Sequence, residues 1–352
     1  MNPSITIDGR QIGRDHSPYV IAELSANHNG DLDQALRIID AAVDAGADAL
    51  KLQTYTPDTM TIESDKDDFQ VRGGLWDGYS LHKLYEWAHT PWDWHETLFA
   101  HANKSGITMF STPFDTTAAD LLDELGAPAF KIASFEAIDL PLIRYVAGKG
   151  KPMIISTGMA DLDEIGEAVQ AAREGGCEEL VLLHCVSGYP APAEDYKLAT
   201  LADMEQRFGV PVGLSDHTLN NISAIASVAL GATVIEKHFT LDRDGGGPDD
   251  SFSLEPEELR QLCRDARIAW DAVGAVDYGL KSSERSNAVF RRSLYAVQDI
   301  PKGTVITAEQ VRSIRPGYGL APKHLDAVLG SIAREDIPRA TAMQWDLVET
   351  KA

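Results

Sequence analysis

No stretch of the 352 residues holds the roughly eighteen consecutive apolar side chains that a membrane-spanning helix requires. The opening segment, MNPSITIDGRQIGRDHS, has no basic run followed by an apolar one, so no secretory leader is expected and the cytoplasm is the expected compartment. Cysteine is scarce as well. Cys177, Cys185 and Cys263 are odd in number and have no metal-type spacing, which points to reduced thiols rather than a disulfide framework. Positive charge is in short supply, with 31 Lys and Arg against 54 Asp and Glu and a net charge of −23. Such a field repels nucleic acid, so the expected partner is a small molecule, and an anionic one needs lysines gathered locally. Finally, the first apolar strand-like run, Tyr19–Glu23, is followed by LSANHNGD and not by the GxGxxG turn of a dinucleotide-binding sheet.

What the chain does contain is alternation. In Val210–Thr240 two Val/Ile-rich runs, VPVGLS and ATVIEKHF, flank a segment of helical spacing, Leu219–Leu230, so a strand–helix–strand unit is expected. Parallel strands joined by a helix point the same way, which brings His217 and His238 to one rim. A lone histidine at a strand end is most often a packed residue. Two at equivalent positions can share a divalent metal and leave coordination sites open for substrate and water. The same unit repeats upstream through strands at YVIAE, ALKLQ, ITMFS, AFKIA, PMIIS and LVLLHC, with helices at Leu32–Ala45, His95–Ser105, Thr116–Leu125, Leu140–Gly148, Leu162–Gly175 and Leu198–Phe208. Pro256–Val273 supplies a last helix. Eight such units in about 270 residues predict a closed (β/α)8 TIM barrel over residues 1–275, α/β in class. Ser4–Ile7 and Arg10–Ile12 around Asp8-Gly9 predict a hairpin capping one end.

Barrel sites are built at the C-terminal strand ends. Those ends carry Glu23, Lys51 and Gln53, Ser111 and Thr112, Lys131 with Ser134 and Glu136, Ser156 and Thr157, His184 and Ser187, Ser215 with His217, and Glu236 with His238. Any single Ser or Thr here is best read as structural. Lys51 and Lys131 differ, because a lysine inside an apolar run is costly to bury without an anion beside it. Two of them among hydroxyls make a phosphate or carboxylate cradle. A Schiff-base lysine is the competing reading, and the histidine pair argues against it by offering metal activation of a carbonyl.

The stretches AELSANHNG, KLQTY, FSTPFD, KIASFE, STG, GLSDH and EKHF together resemble the sialic acid synthase family over almost the whole chain, and GGLWDG and LYEWAHTPWDWH resemble its pseudaminic acid branch. The resemblance implies metal-dependent condensation of phosphoenolpyruvate with an amino sugar, 2,4-diacetamido-2,4,6-trideoxy-L-altrose in that branch, with C–O cleavage and phosphate release. It implies phosphoenolpyruvate held by Lys51, Thr112, Lys131, Ser134, Ser156 and Ser215. Ser187 stands where the neuraminic branch has an asparagine. Mn2+ or Mg2+ would sit on His217 and His238, with Glu136 as acid–base group beside Lys51 and Lys131. Glu23, Asn27, Tyr189 and Asp249 would line the sugar pocket, with Asp250 an alternative to Asp249. The neuraminic and legionaminic branches remain alternatives, as does a non-catalytic sugar binder, against which the retention of both lysines and both histidines counts.

After Val273 the pattern changes. Residues 276–292 are polar and read as a linker, and 293–352 form a small module with a weak repeat, VQDIPKGTVIT against REDIPRATAMQ. The module resembles the antifreeze-like SAF domain that ends these synthases. That resemblance implies a homodimer with exchanged C-terminal domains, in which Arg315 of RPGYGLAP reaches the other subunit's site.

Overall fold

The computed structural model describes residues 2–350. Strands β1 (Ser4–Ile7) and β2 (Arg10–Gly13) pair antiparallel around Asp8 and Gly9 at φ 48° and 76°, a turn that those two residues accept with little strain. Eight parallel strands follow: β3 (Tyr19–Glu23), β4 (Ala49–Thr54), β5 (Thr108–Pro113), β6 (Phe130–Ile132), β7 (Met153–Ser156), β8 (Leu180–Cys185), β9 (Val212–Ser215) and β10 (Val234–His238). They close in sequence order, with β10 paired to β3, so the expected TIM barrel is the fold.

Alternation along each strand decides what faces where. Leu50 and Leu52 of β4 pack outward against the helices, while Ala49 joins an inner cluster with Tyr19, Ile21, Phe110 and Val234. Lys51 and Gln53 share the inner parity, one and two layers further along. Ile5, Ile7 and Ile12 of the hairpin belong to the same inner cluster, which closes the N-terminal end of the barrel as expected. Each such side chain, fully buried, contributes about 1.5–3 kcal/mol. Gly213 of β9 is required by crowding, since a Cβ there would lie 2.3 Å from the Val234 carbonyl oxygen and 2.7 Å from Leu183.

The outer ring consists of α1 (Leu32–Ala45), then α2 (Pro57–Met60) and α3 (Leu81–Ala88) in an insertion after β4, α4 (His95–Ser105), α5 (Thr116–Glu124), α6 (Leu140–Ala147), α7 (Leu162–Glu174), α8 (Thr200–Phe208), α9 (Ile222–Ala229) and α10 (Pro256–Val273). Aspartates start several of them: Asp31, Asp115, Asp139 and Asp161 each accept a first-turn amide, and Gly46 ends α1 in the left-handed region. The helix expected over Leu219–Leu230 begins only at Ile222. The Thr218 and Asn220 carbonyls that would open it accept bonds from the buried Lys237 ammonium instead.

The chain divides after Gly274. In the second unit Ser282–Phe290 is a 3-10 helix, so the expected linker has structure of its own, opened by Glu284 accepting the Lys281 amide at 2.9 Å. Strands β11 (Ser293–Ala296) and β12 (Val311–Ile314) pair, as do β13 (Ile332–Ala333) and β14 (Val348–Glu349), and α11 (Leu325–Val328) lies between the two pairs in sequence. The internal repeat is a true pseudo-symmetry. Ile300 and Ile337 exchange backbone bonds at 2.9 Å, and Asp336 accepts the Lys302 amide as Asp299 accepts that of Arg339, both at 2.7 Å.

Candidate active site

Lys51 and Lys131 project from β4 and β6 into the C-terminal half of the barrel, with side chains 4% and 2% exposed, and each has a carboxylate. Lys51 Nζ lies 2.6 Å from Glu23 Oε2 and donates to Thr112 Oγ1 at 3.1 Å. Lys131 Nζ is 3.4 Å from Glu236 Oε1, which also accepts from Ser215 Oγ at 3.2 Å. Burial raises the Glu23 carboxyl against the pull of Lys51. Burial also works against ionisation of Glu236, but Lys131 and Lys51 together hold that carboxyl below its ordinary range. Burial likewise lowers the Lys131 pKa against the pull of Glu236, so an anion bound beside it would favour its charged form.

Hydroxyls surround this pair. Ser134 Oγ accepts the Gly158 amide at 3.1 Å, and a Cβ on Gly158 would come within 2.4 Å of Ser187 Oγ and 2.8 Å of Ser134 Oγ. Gly158 therefore lets two hydroxyls from different loops approach the space a side chain would fill, and one of them, Ser134 Oγ, takes its amide. Ser156 Oγ, Ser187 Oγ, Glu136 Oε2, Glu236 Oε2 and His238 Nδ1 are all buried without a hydrogen-bond partner among the described residues. Unpartnered buried polar atoms are rare in folded proteins, and their concentration at these strand ends marks a place built for a polar ligand. Glu136 stands in the same group, and burial pushes its carboxyl up to about 7, with Lys131 pulling the other way.

The two histidines meet as expected, with ring centroids 5.4 Å apart. His217 Nδ1 donates to the Val186 carbonyl at 2.8 Å, so Nε2 is the nitrogen left to meet a ligand; burial works against the charged ring, but Cys185, that carbonyl and Glu236 raise its pKa. His238 is held well below its ordinary pKa by burial and by the neighbouring His217, so it stays a neutral imidazole. Among the described residues no third His, Cys, Asp or Glu completes a ligand group. Once His217 gives up its proton to a competing metal, two imidazole donors with the remaining positions left to substrate and water fit a divalent ion.

Aromatic rings cover the pair. The Tyr189 ring lies 4.4 Å from His217, 6.1 Å from His238 and 5.2 Å from Phe252. Trp76, from the insertion after β4, is 5.8 Å from Tyr189 and donates its indole N–H to the Pro248 carbonyl at 2.9 Å. The barrel mouth is thereby covered, and a surface groove of about 560 Å3 lies elsewhere, against α9 and α10.

Of the remaining expected sugar contacts, Glu23 faces the cradle. Asp249 accepts a hydrogen bond from Ser25 Oγ, which in turn accepts one from Gln53 at 3.0 Å. Asp250 braces its own loop through Thr240, Asn29 and the Gly247 amide, so of the two it is Asp249 that shares a network with the strand ends. Asn27 donates to the Phe239 carbonyl and Ser253 Oγ, tying two loops together. Arg315 belongs to the second unit, where it follows β12, exposed and without an ion-pair partner among the described residues. Its loop is braced by Ser293 Oγ, which donates to the Pro316 carbonyl and accepts the Gly319 amide.

Sequence reasoning placed Gln53 and Glu236 at the strand ends without giving them a role, and it did not assign Ser25 to the site. The period-2 alternation that places Lys51 and His238 inward also places Gln53 and Glu236 there, so that signal was present. Nothing local foretells Ser25, nor that Trp76 of GGLWDG meets Tyr189.

A model described as the NeuB family matches residues 38–278, and one described as the SAF domain matches residues 291–349. The chain is similar to the pseudaminic acid synthase of Campylobacter jejuni subsp. jejuni serotype O:23/36 (strain 81-176), at 44% identity over 95% of this chain and 98% of that one. It is also similar to the N,N'-diacetyllegionaminic acid synthase of Campylobacter jejuni subsp. jejuni serotype O:2, at 38% identity over 90% of this chain and 96% of that one. Among solved structures, the N-acetylneuraminic acid (sialic acid) synthetase of Leptospira borgpetersenii serovar Hardjo-bovis, crystallised with citrate, superposes with a TM-score of 0.73 at 32% identity, covering 82% of this chain and 95% of that one.

Proposed function

The chain belongs to the NeuB family, and from that premise we propose that it condenses phosphoenolpyruvate with 2,4-diacetamido-2,4,6-trideoxy-L-altrose, releasing phosphate and forming a nine-carbon 2-keto acid of the pseudaminic type. The observation that carries the reading is the pair of buried Lys–Glu contacts, ringed by unpartnered hydroxyls and standing beside two paired imidazoles.

Lys51 and Lys131 bind the phosphate and carboxylate of phosphoenolpyruvate, with Thr112, Ser134, Ser156, Ser187 and Ser215 supplying the remaining donors. The Ser134 and Ser187 hydroxyls that approach the side-chain-free Gly158 suit the oxygens of a tetrahedral anion. His217 and His238 would hold a divalent ion, which would supply Lewis-acid activation of a carbonyl oxygen there. C3 of phosphoenolpyruvate attacks the aldehyde carbon, water adds at C2, and C–O cleavage releases phosphate. Glu136 is poised to exchange a proton at Oε2 with the reacting centre, since a carboxyl near 7 is divided between its two forms at neutral pH. Tyr189 and Trp76 exclude bulk water from this chemistry. Sequestering phosphoenolpyruvate between two lysines and a roof also accounts for how so acidic a chain binds an anion.

Glu23, Asp249 and Tyr189 face the sugar, and the apolar rings of Tyr189, Phe252 and Trp76 suit a methyl group and acetamido substituents. Arg315 completes the site from the other subunit of a homodimer with exchanged C-terminal modules. A cytoplasmic setting agrees with three free thiols.

The test is phosphate release with Mn2+, phosphoenolpyruvate and a panel of amino sugars. Turnover should favour the diacetamido trideoxy altrose and stop on exhaustive chelation. Preference for N-acetylmannosamine or for the legionaminic precursor would move the chain to another branch, and no phosphate release with any sugar would leave only a binding role.

A further inference from the structure

Each of the two imidazoles is preceded in sequence by a buried charge of opposite sign, Asp216 before His217 and Lys237 before His238. The alternation that turns His238 into the barrel turns Lys237 out of it, so the charges meet behind the barrel wall. Lys237 Nζ donates to Asp216 Oδ2 at 2.9 Å and to the carbonyls of Thr218 and Asn220 at 2.7 and 3.0 Å, which uses all three ammonium hydrogens. The side chains are 1% and 0% exposed. Asp216 also accepts the Thr218 amide at 2.9 Å and the Thr218 hydroxyl at 3.2 Å.

We propose that the Asp216–Lys237 pair is a positioning device, clamping the turn that carries His217 against the strand that carries His238 and so setting the separation of the two imidazoles for a shared divalent ion. The inference rests on the metal reading above. The last ladder bond between the strands is from the Asp216 amide to the Glu236 carbonyl at 2.9 Å, and residues 217–221 lie beyond it. A buried ion pair is poor evidence of stabilisation, because packed apolar side chains of similar volume usually serve as well. An apolar pair, however, could not bind two carbonyls of the histidine-bearing turn. Those carbonyls are what the ammonium takes up, and the cost is visible in α9, which starts late.

The double variant Asp216→Asn/Lys237→Met removes both charges at nearly constant volume and leaves no charge buried alone. In the full-length metal-free protein, amide exchange over residues 216–221 should rise about tenfold or more while the unfolding midpoint stays close to the parent's. Mn2+ affinity by calorimetry should fall roughly 10- to 100-fold, the usual consequence of losing the support behind a metal ligand. Raised Mn2+ should restore kcat, and KM for phosphoenolpyruvate should stay within about twofold, since Ser215 and Glu236, though next in sequence to the pair, lie within the ladder below the turn that the pair holds. General destabilisation would not separate these constants in that way. Thr218→Val keeps the ion pair and loses only the hydroxyl, whose one hydrogen is shared between the Asn220 carbonyl at 2.9 Å and Asp216 at 3.2 Å, so should the double variant fail to fold, this one carries the test, with a smaller shift in the same two readouts. Parent-like exchange and parent-like Mn2+ affinity in a folded variant would overturn the proposal. A parent protein that binds no Mn2+ sinks the metal reading instead, and exchange then decides the clamp alone.

Discussion

Glu136 follows β6 with one carboxylate oxygen buried and unpartnered, and its chemistry is set by that burial more than by any one neighbour. The consequence for stability has a definite sign. The fold favours the protonated form, so this contribution is complete below the ordinary value of 4.5 and is lost as pH rises through about 7. Glu136→Gln stays neutral throughout and should lack the loss. Urea unfolding at pH 5 and pH 8 should show the parent losing about 2–3 kcal/mol more than the variant between those values. Equal losses would mean that the carboxyl is better solvated than its surroundings indicate. His217 gives the other residue-scale prediction. His217→Ala removes one of two imidazole donors while its neighbours Val186 and Tyr196 remain packed, so Mn2+ binding and turnover should be lost with the unfolding midpoint kept. Retained activity in that variant would remove the ion from the mechanism.

Among the elements, the insertion after β4 departs most from a plain barrel. Its GGLWDG turn relies on glycine, with Gly73, Gly74 and Gly78 at φ 76°, 76° and 89° and the Gly73 amide bonded to Asp77 at 2.7 Å. The turn delivers Trp76 to the loop after β10 and to Tyr189 from the loop after β8, so three separate loops meet above the histidines. His95 at the start of α4 anchors the other end of the insertion, bonding Thr54 at 2.8 Å, which bonds Ser111 at 2.6 Å. Trp76→Ala should therefore cost selectivity more than stability. The ratio of kcat/KM for the trideoxy sugar to that for N-acetylmannosamine should fall about tenfold, within the 1–3 kcal/mol that an apolar contact offers. An unchanged ratio would show that the indole only covers the mouth.

For the whole molecule, the expected exchange of C-terminal modules turns on Arg315, which sits on a braced loop without a carboxylate of its own among the described residues. Co-assembly of His217→Ala with Arg315→Ala, each inactive alone, tests it. If the arginine acts across a two-fold dimer, a mixed dimer contains one doubly damaged site and one intact site, and activity returns on mixing. If it acts within its own chain, both sites of the mixed dimer keep one lesion and activity stays absent.

The barrel was legible in the sequence because hydrophobic periodicity is local: runs such as LVLLHC and helices such as Leu32–Ala45 announce themselves within a dozen residues, and Asp8-Gly9 specifies its own turn. The inward set Lys51, Lys131, His217 and His238 followed from that periodicity together with the rule that parallel strands end on one rim. Tertiary structure alone decided which groups pair across strands. Lys51 meets Glu23 across the β3–β4 ladder, and Lys131 of β6 meets Glu236 of β10 because the closed barrel turns strands from its opposite sides toward one interior. It likewise decided that Asp250 serves its own loop while Asp249 faces Ser25, that Trp76 reaches Tyr189, and that Lys237 draws two carbonyls out of the expected start of α9. Hydrogen-bond partners and burial are properties of distance in space, and a one-dimensional pattern carries parity and spacing but no such distances.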